Sequence, residues 1–377
     1  MGGSTKLSEV KHNRIRVMCV AGARPNFTKI APLMREFGSR PGFESFLVHT
    51  GQHYDAKMSE NFFRDLGIPE PDINLGVGSG SHAEQTGQVL IKFEGVLQAE
   101  QPDLVVVVGD VNSTLAATLA AVKLDIPVAH VEAGLRSGDR KMPEELNRLM
   151  TDVVSSWLFT TEPDGEANLL REGVDPKRIH FVGNVMIDTL LANLERAKKL
   201  DTLSRLGLVA GEFALLTLHR PSNVDDPKRL AELFSALEEI HERVPILFPV
   251  HPRTASKISE SLGGRAMKLQ IVEPQDYLEF LLLMSEAKLV LTDSGGVQEE
   301  TTALGTPCFT LRDSTERPIT VTHGSNTMVG ADRDVILREV GIALDGNPKA
   351  GMVPDLWDGR AAVRIADVIE RDLRTDS

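Results

Sequence analysis

LVLTDSGGVQEE, residues 289–300, runs from an unbroken apolar stretch into two glycines and then into a polar, helix-forming segment. Val, Leu and Ile without polar alternation mark a strand buried on both faces, as in a parallel sheet. Gly295 and Gly296 permit a tight turn and close backbone approach. A helix follows, with Ser294 near its N-cap. Free N–H groups and the helix dipole at such an end suit a phosphate. Glu300 lies about two turns further on, where a carboxylate can accept hydrogen bonds from ribose hydroxyls. The alternative for this segment alone is a plain glycine turn with a solvated Glu pair, and phosphate binding is the favoured reading.

The same strand-then-loop pattern recurs outward along the chain. Arg24 follows VMCVAGA, Asp110 follows LVVVVG, Glu132 follows PVAHV and His219 follows ALLTL. The carboxyl ends of parallel strands form the ligand crevice of open α/β sheets. These groups are therefore aimed at a shared cleft, which points to an enzyme acting on a phosphorylated small molecule. Residues from about 16 to 185 alternate strands and helices. Their strands are IRVMCVAG, SFLVHTG, LVVVVGD, PVAHVEAG, SWLFTT and IHFVGN. A helical, charged connection covers Val185 to Gly211, and a second series follows: FALLTLH, PILFPVH, LQIVE, LVLTD and PCFTLR. The fold class is α/β, with two Rossmann-like parallel-sheet domains. The boundaries expected are 1–184 and 185–359, with an amphipathic helix over 360–377. Pro32, inside the first helical pattern, predicts a kink or a short first turn.

The 377 residues carry a net charge of −13 and are 41% hydrophobic and 25% charged. That balance excludes a general nucleic-acid surface, so an anionic ligand must be held by local cations and dipoles. Cys19 and Cys308 lie in apolar runs outside any metal pattern, as buried thiols of a reducing compartment do. The leader MGGSTKLSEVKHNR lacks the apolar core of a signal peptide, and no run is long enough to span a bilayer. A cytoplasmic protein with no membrane partner is expected. GVGSGS (76–81) follows no convincing strand and reads as a loop. No nicotinamide fingerprint and no metal spacing such as HxxxH is present, so neither cofactor nor metal is expected.

Arg24 and Lys29, in AGARPNFTKIAPL (21–33), can meet a diphosphate, Arg through its planar fork. They read equally as solvated surface cations. Asp110, Glu132 and Glu144 form a set of carboxylates. Pushed together in a cleft, they acquire raised pKa values and can move protons. Their alternative role is as caps and ion pairs with Arg136, Arg140 or Arg148. His219 and His251 end adjacent strands in the second half, which favours a site over isolated structural histidines.

Taken together, GARPNFTKIAPL, HTGQHYD, VVGDVNSTLAA, HVEAGLRSGDRKMPEELNR, TLHRPSNVD, DSGGVQEE and LRDSTERP resemble the non-hydrolysing UDP-N-acetylglucosamine 2-epimerases, in family order along almost the whole chain. The resemblance implies the GT-B architecture, two Rossmann-like domains facing across a cleft, with the final helix packing back on the first domain. It implies C2 epimerisation of a UDP-sugar through 2-acetamidoglucal, without a redox cofactor. Asp110, Glu132, Glu144 and His219 match the family's catalytic set. Arg24 and Lys29 match its basic pair, and Gln275 and Phe280 its uracil loop. Ser294, Gly295 and Gly296 match the phosphate turn, Glu300 the ribose acceptor and Arg317 a further phosphate contact. Gln52 and His53, with His251, match an allosteric second UDP-sugar site. A homodimer is expected.

Three places depart from the family pattern. Asn26 replaces a Glu, Pro221-Ser222 replaces a polar or charged pair, and Gln88 replaces a basic residue. The first leaves the sugar open; the others weaken the expected grip of the second site. The rival readings are an epimerase of another UDP-sugar such as UDP-2,3-diacetamido-glucuronic acid, a hydrolysing relative, a GT-B glycosyltransferase and a non-catalytic UDP-sugar sensor.

Overall fold

The structure, a computed structural model, describes residues 14–51, 64–264 and 266–375. Its first sheet comprises Ile15–Ala21 (β1), Phe43–His49 (β2), Ile73–Asn74 (β3), Leu104–Val108 (β4), Val128–Ala133 (β5), Trp157–Thr160 (β6) and Ile179–Phe181 (β7). The second comprises Ala214–Thr217 (β8), Ile246–Pro249 (β9), Gln270–Val272 (β10), Leu289–Thr292 (β11), Cys308–Thr310 (β12) and Asn326–Met328 (β13). The strand orders are β3-β2-β1-β4-β5-β6-β7 and β10-β9-β8-β11-β12-β13. Every recorded pairing is parallel. This is the α/β, GT-B-like arrangement of two Rossmann-like sheets.

The apolar runs lack alternation because both sheet faces are covered. On β1, Val17, Cys19 and Ala21 enter one core with Phe27 and Ile30 of the helix Arg24–Ser39. Met18 and Val20 enter the opposite core with Phe93 of His82–Glu100 and Ala117 of Asn112–Lys123. The strand order reverses between β1 and β4 and again between β8 and β11, and ligands of open α/β sheets sit at such points. Strands β3 and β13 escaped the sequence reading. They have only two and three residues, and each contains an Asn, a poor strand former.

Pro32 does not end its helix, which continues to Ser39. A mid-helix proline leaves the carbonyl four residues earlier without its donor. Here that carbonyl, Thr28 O, accepts from Thr189 Oγ1 at 2.5 Å. Thr189 lies on the helix Val185–Ala197, which packs against Arg24–Ser39 and also against Tyr277–Glu286 beneath the second sheet. The terminal helix Ala361–Thr375 starts on this same connection. Asp188 accepts from the N–H groups of Ala361 (3.1 Å) and Ala362 (2.8 Å). The helix then lies along the first sheet's layer, where Asp367 meets Arg40 at 2.7 Å and Asp372 accepts from Trp157 Nε1 at 2.9 Å. Among the described residues no helix is long and apolar enough to cross a membrane.

Candidate active site

Glu132 stands at the end of β5 with a backbone φ of +75°. A non-glycine residue there is strained by roughly 1–3 kcal/mol, a cost that clusters at functional sites. The β5–β6 register shifts between Val131 and Ala133, so the strain marks a bulge that re-aims the side chain. The carboxylate is buried and bonded on both oxygens. Oε2 meets Lys29 Nζ, and Oε1 meets Arg317 Nη2 at 2.8 Å. Burial alone would raise Glu132, but Lys29 and Arg317 outweigh it and hold the carboxyl below its ordinary value. Gly109, beside Asp110, must lack a side chain here: a β-carbon would come within 3.2 Å of Lys29 Nζ and 3.3 Å of Glu132 Oε2.

Arg317 comes from the second half, at the N-cap of Pro318–Thr322. Its Nε lies 2.9 Å from Glu299 Oε1, and Nη1 has no hydrogen-bond partner. Burial works against its charge, but Glu299 and Glu132 more than restore it. The Glu132–Arg317 pair thus joins the two sheets inside the cleft. Glu162, just after β6, is buried with both oxygens unpartnered. Burial pushes its carboxyl up to about 8, against the pull of Arg317.

Asp110 follows β4 and is partly open, with Oδ2 2.5 Å from Arg148 Nη1. The ion-pair alternative is therefore realised for this residue. Arg148 is also held by Glu145 at 3.0 Å. Glu145 in turn accepts from the backbone of Ser137 (2.8 Å) and Gly138 (3.1 Å), which leaves it a structural task. Glu144, in the first turn of Pro143–Val154, is half-buried and engaged by no hydrogen bond or ion pair among the described residues.

The second sheet's switch point carries His219 and the glycine turn. His219 is exposed, with Nδ1 3.1 Å from Asp293 Oδ1. Asp293 is fully buried and also accepts from the N–H groups of His219 (3.0 Å) and Arg220 (2.8 Å) and from Asn223 Nδ2 (3.2 Å). Burial opposes its ionisation, but the bonds from His219 and its neighbours hold the carboxyl below its usual range. The pairing fixes the imidazole and leaves Nε2 for a ligand. Ser294 stands at the N-cap position of the helix Gly295–Leu304 without a side-chain capping bond, and the first-turn N–H groups have no partners within the helix. Glu300, on that helix, is buried and pushed up to about 8 by burial and by Glu299. Gln275 accepts from Arg205 Nη2 at 3.1 Å, and Phe280 packs half-buried against the core below it. His251 follows β9 and is exposed.

Arg24 opens its helix, but its side chain, like Gln52 and His53, lies outside the described residues. Asn26 has a local task. Its Oδ1 accepts from the N–H groups of Gly22 (3.1 Å) and Ala23 (2.9 Å), and Nδ2 donates to Val108 O (3.2 Å). The amide closes a helix start that a Glu could also close, and adds a tie to β4. Sequence reasoning missed Asp293, Glu299 and Glu162. Asp293 was quoted with the glycine turn yet given no role. Its place at a strand end beside His219 was the available signal. Glu162 carried none, since TTEPDG reads as a simple helix start. Among the described residues no group of three His, Cys, Asp or Glu is placed to hold a metal ion.

Paired switch points, a buried cation between carboxylates and a helix N-terminus beside a His–Asp pair define an enzyme of the nucleotide-sugar class on a GT-B-like fold. Residues 35–370 match the family described as UDP-N-acetylglucosamine 2-epimerase. The chain is 43% identical over 364 residues to the UDP-N-acetylglucosamine 2-epimerase of Methanocaldococcus jannaschii, covering 94% of this chain and 99% of that protein. It is also 43% identical over 367 residues to the UDP-2,3-diacetamido-2,3-dideoxy-D-glucuronate 2-epimerase of Pseudomonas aeruginosa, covering 95% and 100%. The crystal structure of the M. jannaschii enzyme in complex with UDP-GlcNAc and UDP is similar with a TM-score of 0.87, covering 95% of this chain and all of that one. The chain belongs to the UDP-N-acetylglucosamine 2-epimerase family.

Proposed function

We propose that the protein interconverts UDP-N-acetylglucosamine and UDP-N-acetylmannosamine. The observation that carries this reading is the buried Glu132–Arg317 contact, which sets a carboxylate of one sheet against a cation beside the other sheet's helix N-terminus. The C2 hydrogen of the sugar is not α to a carbonyl, so direct deprotonation is very unfavourable. Elimination avoids the difficulty: UDP leaves C1 as a base takes the C2 proton, giving 2-acetamidoglucal. UDP then adds back while C2 is protonated from the opposite face. Arg24, Arg317, His219 and the N–H groups beyond Ser294, at Gly295 and Gly296, stabilise the departing diphosphate. Glu300 takes the ribose, and Gln275 and Phe280 the uracil. Glu132 is held ionised by Lys29 and Arg317, so it enters as a proton acceptor. Asp110 and Glu144, the partly open carboxylates, supply the opposite face. One positioned acid or base contributes about a hundred- to ten-thousand-fold.

In support of a two-domain enzyme, we divide the chain into 1–184 with 360–377 and 185–359. The docking of the terminal helix on the first sheet's layer supports the first grouping. A homodimer is supported by Leu146, Met150, Val153 and Val154, which form an exposed apolar stripe on one helix. Light scattering with Met150→Lys tests it. A cytoplasmic setting accords with two buried, unbridged cysteines. The reaction needs neither nicotinamide nor metal.

A second reading is C2 epimerisation of UDP-2,3-diacetamido-glucuronic acid, whose extra carboxylate requires an extra cation. Arg140 and Lys141, exposed between β5 and Pro143–Val154, carry no ion pair among the described residues and are the cations this reading assigns to it. Incubation with each UDP-sugar in deuterated water, with chelator and without NAD, separates the readings. The product from UDP-N-acetylglucosamine is expected to be UDP-N-acetylmannosamine with deuterium at C2. Epimerised product without deuterium, or free sugar as the only product, refutes the elimination reading.

A further inference from the structure

His130 is fully buried two residues before Glu132, and both its nitrogens face acceptors. Nδ1 lies 2.6 Å from Asp152 Oδ1, and Nε2 lies 2.9 Å from Gly109 O. A carbonyl cannot donate, so Nε2 carries a hydrogen. Asp152 Oδ2 is already bonded by Gly134 N–H (3.1 Å) and Arg136 Nη2 (2.7 Å), which marks a carboxylate facing Nδ1. Burial opposes that charge on Asp152, but His130 and Arg136 hold the carboxyl below its ordinary range.

The partners of this one carboxylate are spaced around Glu132. Asp152 grips the segment before it through the His130 ring, and after it through Gly134 N–H and the Arg136 guanidinium. The residue between the two grips is the one forced to a φ of +75°. Gly134 itself has a φ of +80° and packs against Gly165, whose carbonyl oxygen would lie 2.3 Å from an added β-carbon. The segment therefore has little room to relax. The other face of the His130 ring system reaches the next strand: Gly109 O belongs to the residue that precedes Asp110, and Gly109 N–H bonds Val131 O at 3.1 Å. One buried pair thus links the backbones that carry two of the proposed proton-transfer groups.

We propose that His130 and Asp152 form a positioning bracket, which holds Glu132 in its left-handed backbone conformation and ties it to the turn that presents Asp110. The proposal rests on the reading of Glu132 and Asp110 as proton-transfer groups. Neither His130 nor Asp152 meets the substrate. Their effect is geometric, and it falls on the chemical step, because the ribose and uracil groups, and the glycine turn and His219 at the diphosphate, come from the other sheet.

The test uses the full chain carrying His130→Gln, Asp152→Asn or Arg136→Gln, with kcat and KM for UDP-N-acetylglucosamine, calorimetric UDP affinity and circular dichroism. His130→Gln and Asp152→Asn are expected to lower kcat about a hundred-fold, the effect of a misplacement near 1 Å, with KM and UDP affinity within about threefold of the parent. Arg136→Gln, which takes one donor from Asp152 and also ends the Arg136–Glu172 ion pair, is expected to lower kcat about tenfold. A folded His130 or Asp152 variant with kcat within about twofold of the parent overturns the bracket. Parallel loss of kcat and UDP affinity overturns it too, since that marks general loosening. If the two core variants do not fold, Arg136→Gln decides alone: a kcat within about twofold of the parent overturns the bracket. Asp110→Asn and Glu132→Gln are measured beside them. Near-normal turnover in those two refutes the site reading itself, whereas their failure with normal bracket variants refutes only the bracket.

Discussion

Replacing Glu162 with Gln is expected to stabilise the protein, and to do so in a pH-dependent way. Glu162 is 1% exposed, neither oxygen has a partner, and burial pushes its carboxyl from an ordinary 4.5 up to about 8. A carboxyl raised on folding contributes stability that is whole below 4.5 and is lost as the pH climbs through about 8. At pH 7 the unfolded chain is ionised here and the folded one is protonated. Each pH unit between 4.5 and 7 costs about 1.4 kcal/mol, so folding forgoes about 3 kcal/mol. Glutamine keeps the shape and takes up no proton. An unfolding entropy of about 2.1 cal/mol/K per residue over 377 residues gives about 0.8 kcal/mol per degree. Glu162→Gln should therefore raise Tm by about 4 °C at pH 7 and by about 1 °C at pH 5, where the same cost is about 1 kcal/mol. Scanning calorimetry at both pH values reads it. A lower Tm at pH 7, or an equal gain at both, refutes the argument that Glu162 is held protonated.

Asp110→Asn, Glu132→Gln and His219→Ala should each lower turnover at least about a hundred-fold with the fold intact by circular dichroism; near-normal turnover removes that residue from the set. Glu300→Ala should weaken UDP binding by roughly 1.5–3 kcal/mol in calorimetry, and unchanged affinity would move the ribose elsewhere. Asp188→Ala, which removes the acceptor for the Ala361 and Ala362 N–H groups, should cost about 1 kcal/mol and speed hydrogen exchange at the start of the terminal helix first. The reverse reaction from UDP-N-acetylmannosamine should need little or no added UDP-N-acetylglucosamine, because Gln88 and Pro221 offer no charge to a second diphosphate. A strict requirement in initial rates would show that the second site is intact.

The two sheets were legible because each buried strand declares itself by composition, and a glycine or a charge at its end declares the loop. The cleft was legible for the same reason: Asp110, Glu132, His219 and Ser294 all stand where strands stop. What the residues alone left open was pairing. Lys29 and Arg317 are 288 positions apart in the chain, yet both meet Glu132. Nothing in PVAHVEAG announces that Glu132 adopts a positive φ or that His130 is bound at both nitrogens. Pro32 sits inside its helix, and the donor that serves the carbonyl it frees, Thr189 on Thr28 O, lies 161 residues along the chain from Thr28, beyond the reach of any local reading. Asp188 and Glu162 stand at helix starts, where acids are common and nothing nearby in the sequence sets them apart. Their altered ionisation comes from burial by segments that pack over them.

The Glu132–Arg317 contact has a mechanical side. The chain passes between the sheets twice, after Val185–Ala197 and before Ala361–Thr375; Asp188 fastens the second passage to Val185–Ala197, and Thr189 fastens that helix to Arg24–Ser39. The Glu132–Arg317 pair stands at the start of that seam, because Glu299 Oε1 meets Arg317 Nε at 2.9 Å and accepts from Asn184 Nδ2 at 2.9 Å, and Asn184 caps Val185–Ala197. Glu132 of the first sheet, Arg317 and Glu299 of the second and Asn184 of the connection therefore form one continuous run of polar contacts. Any change of partner on Arg317 is then felt in both sheets and in the segment that joins them.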